Sequence, residues 1–202
     1  MPCDFYIWHL FVLAHGIQYG EYGASDIFHR KLISQCRLFT SEAVGLAKAS
    51  ALFQSEQTIP DLLQYFDALG SGEQFRRMCV LDALILNTDR HYGNFGILFD
   101  TNDMRPLRMA PVFDHNQSLF PDLDNEQLAK PDWYLKKCRP RLGKSFILTA
   151  RNLLTDAIRN DLEELKSSRF AFDQHLTINA EQERLDALSA IVKKQAEAIL
   201  AM

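Results

Sequence analysis

Four polar side chains, Asp89, Arg90, His91 and Asn94, sit between two apolar runs in the stretch LILNTDRHYGNFGILFD. A further carboxylate, Asp114, follows the apolar run in MAPVFDHNQSL. An ionised Asp and an Asn amide oxygen are hard donors suited to Mg²⁺, which keeps several waters and completes its shell with substrate phosphates. Asn94 and Asp114 supply such a pair. Asp89, five residues before Asn94, is the carboxylate left to accept or orient a hydroxyl proton. This division of labour serves phosphoryl transfer, where positioning and charge neutralisation supply most of the rate.

The neighbouring side chains have more than one reading. His91 is expected to brace the loop through hydrogen bonds more readily than to act as acid or base. Arg90 suits either a phosphate or a structural acid. Asp89, Arg90 and Asn94 could together cap a helix end and brace a turn, as Asn and Asp often do. A zinc site built from Asp89, His91, Asp114 and His115 is the metal alternative, but the oxygen-rich set without nearby Cys favours Mg²⁺.

The elements that must hold these residues follow from the apolar pattern. Residues 71–87 carry Phe75, Cys79, Val80, Leu81, Leu84, Ile85 and Leu86 at mostly helical spacing, which predicts a central buried helix ending where the motif begins. NFGILF reads as a strand, TNDMRP as a turn and LRMAPVF as a second strand, a hairpin whose open end brings Asn94 toward Asp114. LFTSEAVGLAKASALF reads as helical, with Thr40 or Ser41 as cap and Glu42 in the first turn. TIPDLLQYFDALG predicts a helix with Pro60 near its start and Gly70 past its end. Prolines 121, 131 and 140 interrupt residues 121–145, and two amphipathic helices are expected at about 146–167 and 180–201. Residues 1–35 are aromatic-rich, with turns suggested at Gly16, Gly20 and Gly23, and read as short strands.

Composition bounds the rest. A chain of 202 residues, 47% apolar and 24% charged, is that of a globular protein able to bury a core. A net charge of −4 and a pI near 5.9 argue against general nucleic-acid binding, and no direct sequence-specific contact with nucleic acid is expected. Cys3, Cys36, Cys79 and Cys138 are scattered without a C-x-x-C pair, so a reducing cytoplasm fits better than a disulfide framework. The apolar run Phe5–Ala14 carries His9, follows Asp4, lacks a basic leader and is too short to span a bilayer. It is expected as a buried strand or short helix, with a partner-docking surface as the sharper reading. Lys136, Lys137, Arg139, Arg141 and Lys144 crowd YLKKCRPRLGK, a solvated face or, in a kinase, a surface for an acidic substrate or a nucleic-acid-bound target.

The paired segments LDALILNTDRHYGNFGIL and MAPVFDHNQSL resemble the catalytic and metal-binding segments of HipA-like kinases, bacterial serine/threonine kinases that are often the toxin half of toxin–antitoxin pairs. SQCRLFTSEAVGL and RPRLGKSF extend the resemblance over about residues 33–170. It implies a mostly α (α+β) fold: a protein-kinase-like helical C-lobe over residues 36–202 with a small β-hairpin at the active site. Residues 1–35 would form a short irregular or β segment in place of an N-lobe. It further implies Asp89 as the catalytic Asp, Asn94 and Asp114 as metal and nucleotide ligands, and ATP with Mg²⁺ as cofactors. The substrate would be a protein Ser/Thr hydroxyl.

GIQYGEYG lacks the G-x-G-x-x-G spacing of a kinase phosphate loop, and Lys31 is the sole lysine near it. Two other functions therefore stand beside the kinase. One is a non-catalytic kinase lobe serving as a binding module, with an antitoxin-like or N-lobe-supplying partner. The other is a phosphoinositide-kinase-like enzyme, which shares D-R-H-x-x-N followed by an Asp.

Overall fold

The computed structural model describes residues 22–28, 31–36, 38–170 and 181–201. Phe5–Ala14, Gly16 and Gly20 lie outside them. Strands β1 (Tyr22–Phe28) and β2 (Lys31–Cys36) pair antiparallel as a sheet of their own, with Gly23 inside β1 and Lys31 opening β2.

A second, three-stranded antiparallel sheet has the order β3 (Val44–Lys48), β4 (Gly96–Asp100), β5 (Pro106–Met109). The hairpin expected from NFGILF and LRMAPVF is present, with Ile97 opposite Met109 and Leu98 opposite Arg108. Its second strand ends at Met109, earlier than expected. Pro111 lacks an N–H for a ladder, and only Val112 bridges beyond it.

The reading of residues 40–53 as one helix is corrected. Val44–Lys48 is a strand, and only Ala49–Leu52 (α1) makes a helical turn, without a side-chain cap. Tertiary pairing overrides local preference here. Val44 to Lys48 align residue by residue with Asp100 to Gly96, and two glycines permit the approach. A Cβ on Gly96 would lie 2.1 Å from the Ala47 carbonyl oxygen, and one on Gly45 would lie 2.4 Å from the Phe99 ring.

Helix α2 (Ile59–Ala68) has a capping box: Thr58 accepts from the Asp61 N–H, while the Asp61 carboxylate accepts from the Thr58 N–H. Gly70, at φ 72°, follows its end. Helix α3 (Gly72–Ile85) is the buried centre expected from its pattern and packs against α2, α6 (Phe146–Asn152) and α8 (Gln182–Leu200). Phe66 of α2 stacks on Phe75 of α3 at 5.0 Å, and Phe95 leans on both.

Short helices α4 (Asn125–Leu128) and α5 (Asp132–Lys137) occupy the proline-interrupted stretch. The single helix expected over 146–167 is two: α6 ends at Asn152, and α7 (Asp156–Leu165) restarts under a Thr155 cap that accepts from Ile158. Leu153 and Leu154 keep the apolar pattern running through that break, which periodicity alone does not see. The described residues form a mostly α, α+β fold with a small three-stranded sheet at the start of its central helix, the class expected from the sequence.

Candidate active site

Helix α3 positions the site from both ends. At its start, the Ser71 hydroxyl accepts from the Met109 N–H and Gln74 donates to the Ala110 carbonyl, fixing the exit of β5. At its end, Leu86 adopts a left-handed backbone, φ 55°, and its N–H bonds back to the Asp82 carbonyl. A Leu in this conformation costs on the order of 1 kcal/mol. Burial of the Leu86 side chain offsets that cost and turns the chain sharply into the loop 87–95.

Asp82 is a buried carboxylate inside this apolar helix. It accepts two bonds from Arg90, Nε to Oδ2 at 2.8 Å and Nη2 to Oδ1 at 3.0 Å, and a third from Asn87 Nδ2 at 2.9 Å. Arg90, only 1% exposed, uses its remaining nitrogen Nη1 on two carbonyls, Asn94 at 2.6 Å and Phe113 at 2.7 Å. This resolves the two readings of Arg90. It pairs a structural acid, and its guanidinium ties the helix end, the loop and the segment entering Asp114 into one frame.

Within that frame the backbone N–H of Asp89 donates to Asn87 Oδ1, and the Asp89 carbonyl accepts from both the His91 N–H and Asn94 Nδ2. The Asn94 amide is therefore oriented: its nitrogen is committed, and Oδ1 is the end left for a cation. Asp114 follows Phe113 with a left-handed backbone, φ 59°, and is half-buried. Because Arg90 Nη1 bonds the carbonyls of both residue 94 and residue 113, Asn94 and Asp114 lie in one neighbourhood. Two oxygen-donor side chains of this kind suit Mg²⁺ better than a softer ion.

His91 Nδ1 accepts from the Gly93 N–H at 2.9 Å, which leaves the proton of a neutral ring on Nε2, 3.9 Å from Asp89 Oδ2. That geometry is a loop brace. His115 is held well below the ordinary histidine range, by burial first and by the Arg90 charge second, and its Nε2 is buried without a hydrogen-bond partner. Among the described residues no three His, Cys, Asp or Glu converge as a metal cluster, so the zinc alternative lacks its ligand set.

Three contributors escaped the sequence reading. Asp82 carried a signal, as a lone charge within VLDALILN. Asn87 carried less, since Asn at a helix end is commonplace. Arg141 was legible only as one cation of its basic run, and nothing in that run shows its Nη1 meeting Asp89 Oδ1 at 2.6 Å. Only the tertiary fold brings them together.

No family model matches the chain, and no curated protein matches it in sequence. Among solved structures it is similar to the crystal structure of a proinflammatory kinase, CtkA, of Helicobacter pylori. The TM-score is 0.66 at 17% sequence identity, and the match covers 96% of this chain and 82% of that one. The chain therefore has a kinase-like fold.

Proposed function

We propose that this chain is a HipA-like serine/threonine kinase that uses ATP and Mg²⁺ to phosphorylate a protein hydroxyl. The observation that carries the reading is the Arg90 frame, which holds the Asp89 loop, Asn94 and the approach to Asp114 at the end of one buried helix. The kinase-like fold supports it at the level of architecture.

Asn94 Oδ1 and the Asp114 carboxylate hold the metal, which when bound neutralises charge on the nucleotide phosphates. Asp89 orients the acceptor hydroxyl and takes its proton as the new O–P bond forms and the bond to the departing ADP oxygen breaks; the proton then passes to solvent. Arg90 and His91 keep the loop in shape without touching the reacting atoms. Residues 36–202 form the C-lobe in this reading and residues 1–35 a reduced N-terminal segment, with β1 and β2 in a sheet apart from the other three strands. The protein works in a cytoplasm beside an antitoxin-like or N-lobe-supplying partner, which is what the family resemblance implies. No helix among the described residues is long and apolar enough to cross a membrane.

The test is calorimetry of Mg²⁺-dependent ATP binding, paired with labelled phosphate transfer to a generic Ser/Thr acceptor protein. Asp114→Ala is expected to abolish metal-dependent nucleotide binding. Asp89→Asn is expected to keep it while lowering transfer about 10²–10⁴-fold. Absence of ATP binding by the unaltered chain would overturn the enzyme reading in favour of the binding module.

A further inference from the structure

The last turn of α5 and the loop that leaves it together carry five cations, and one of them sits on the candidate catalytic carboxylate. Arg141 is 60% exposed at its side chain, and Asp89 is its sole acidic partner among the described residues. Its backbone neighbours make this placement a built one. Pro140 and Leu142 line a small cavity with Asp82, Asn87 and Arg90, and Leu142 is buried in the core. Cys138 lies against the Leu86 carbonyl with its sulfur 4.0 Å away, a second tether to the end of α3.

The charge around Arg141 is one-sided. No Asp or Glu occurs from Trp133 to Thr155. Asp132, at the border of the run, is already bonded to Lys194; that hydrogen bond first, then the Lys194 charge and the weaker Lys136 charge, hold its carboxyl low. Lys136, Arg139 and Lys144 are exposed and make no salt bridge among the described residues; Arg139 is steadied by the carbonyls of Lys136 and Cys138. Lys137 stands 3.9 Å above the exposed Trp133 ring. A cationic loop of this sort attracts anionic partners and disfavours cationic ones.

We infer that the segment 136–144 recognises acidic side chains flanking the hydroxyl to be phosphorylated, with Arg141 as the specificity residue nearest the reaction; this rests on the kinase reading of the Asp89 site. In the unbound protein Arg141 covers Asp89 Oδ1, an oxygen that must face the substrate hydroxyl. An acidic residue beside that hydroxyl gives the guanidinium a replacement partner as Asp89 is uncovered. A neutral peptide offers no such exchange, and a basic one is repelled.

Three fluorescent peptides test this: one Ser flanked by Asp and Glu, one by neutral residues and one by Lys, each also made with Ala in place of Ser. Binding of the Ala peptides is read by anisotropy, and phosphorylation of the Ser peptides by kcat and KM. The acidic peptide is expected to bind about tenfold tighter than the neutral one at low salt, the sum expected of three exposed charge pairs. The preference should fade as salt screens it. The double variant Lys136→Gln/Lys144→Gln should raise KM for the acidic peptide alone and leave kcat unchanged. Arg141→Gln should narrow the discrimination between acidic and neutral peptides about two- to threefold, one charge pair's share, with circular dichroism checking its fold.

Acidic-peptide binding without phosphate transfer would keep the recognition surface and sink the kinase reading. Transfer at equal kcat/KM to all three peptides would keep the kinase and overturn the recognition surface. So would a single-stranded oligonucleotide that outcompetes the acidic peptide and loses its binding in the double variant, or failure to bind any peptide.

Discussion

Asp82 and Arg90 form a buried pair in which every guanidinium nitrogen has an acceptor. Removing one partner strands the other charge, so Arg90→Met is expected to cost about 3–5 kcal/mol in urea unfolding. Asp82→Leu combined with Arg90→Met should recover most of that loss while leaving the loop without its frame. A single-variant cost near zero would show the pair to be ornamental. The motif made Asp89, Asn94 and Asp114 legible as residue types at a spacing. The frame that aligns them was not legible, because Arg90 bonds Asp82 eight residues back and the Phe113 carbonyl twenty-three residues on, distances no local pattern encodes.

Helix α2 and the α3 core were legible because their signals are local: a capping box, a proline in the first turn, and an apolar face. Strand β3 was hidden because its partner β4 lies about fifty residues away, and its residues Gly45 and Ala47 carry no strong strand preference. The close backbone contact at Gly96 gives a sharp check on this pairing. Gly96→Ala pushes a methyl group into the Ala47 carbonyl and Lys48 Cα, backbone atoms that cannot swing aside. We expect about 1–3 kcal/mol of destabilisation, with hydrogen exchange accelerated in β3 and β4 before α7 and α8. Unchanged protection in β3 would contradict the pairing.

Across the whole molecule, β1 pairs with β2 in one sheet while β3 joins β4 and β5 in another. A chain beginning at Leu38 is therefore expected to unfold in one cooperative transition, with a midpoint within a few degrees of the full chain's, by thermal circular dichroism. Loss of the transition would mean that the first 37 residues belong to the same folding unit. Net charge hid the most polarised surface: −4 overall conceals a stretch from Trp133 to Thr155 with cations and no acid. The sequence displayed that run, yet its meaning depends on Arg141 reaching Asp89, which is a property of the assembled lobe.

Arg90 grips its two far anchors by main-chain oxygen, and main-chain oxygen is supplied by every amino acid. Position 113 can therefore change identity over evolutionary time without loosening the grip, provided the chain keeps its path, whereas position 94 is held by what its own side chain does. Selection on such a scaffold would act strongly on Asp82 and Arg90 and weakly on much of what surrounds them. Lineages built on such a scaffold could drift until their alignments fade while the fold persists, so that likeness survives in shape alone, as in the 17% identity that accompanies this chain's fold-level match.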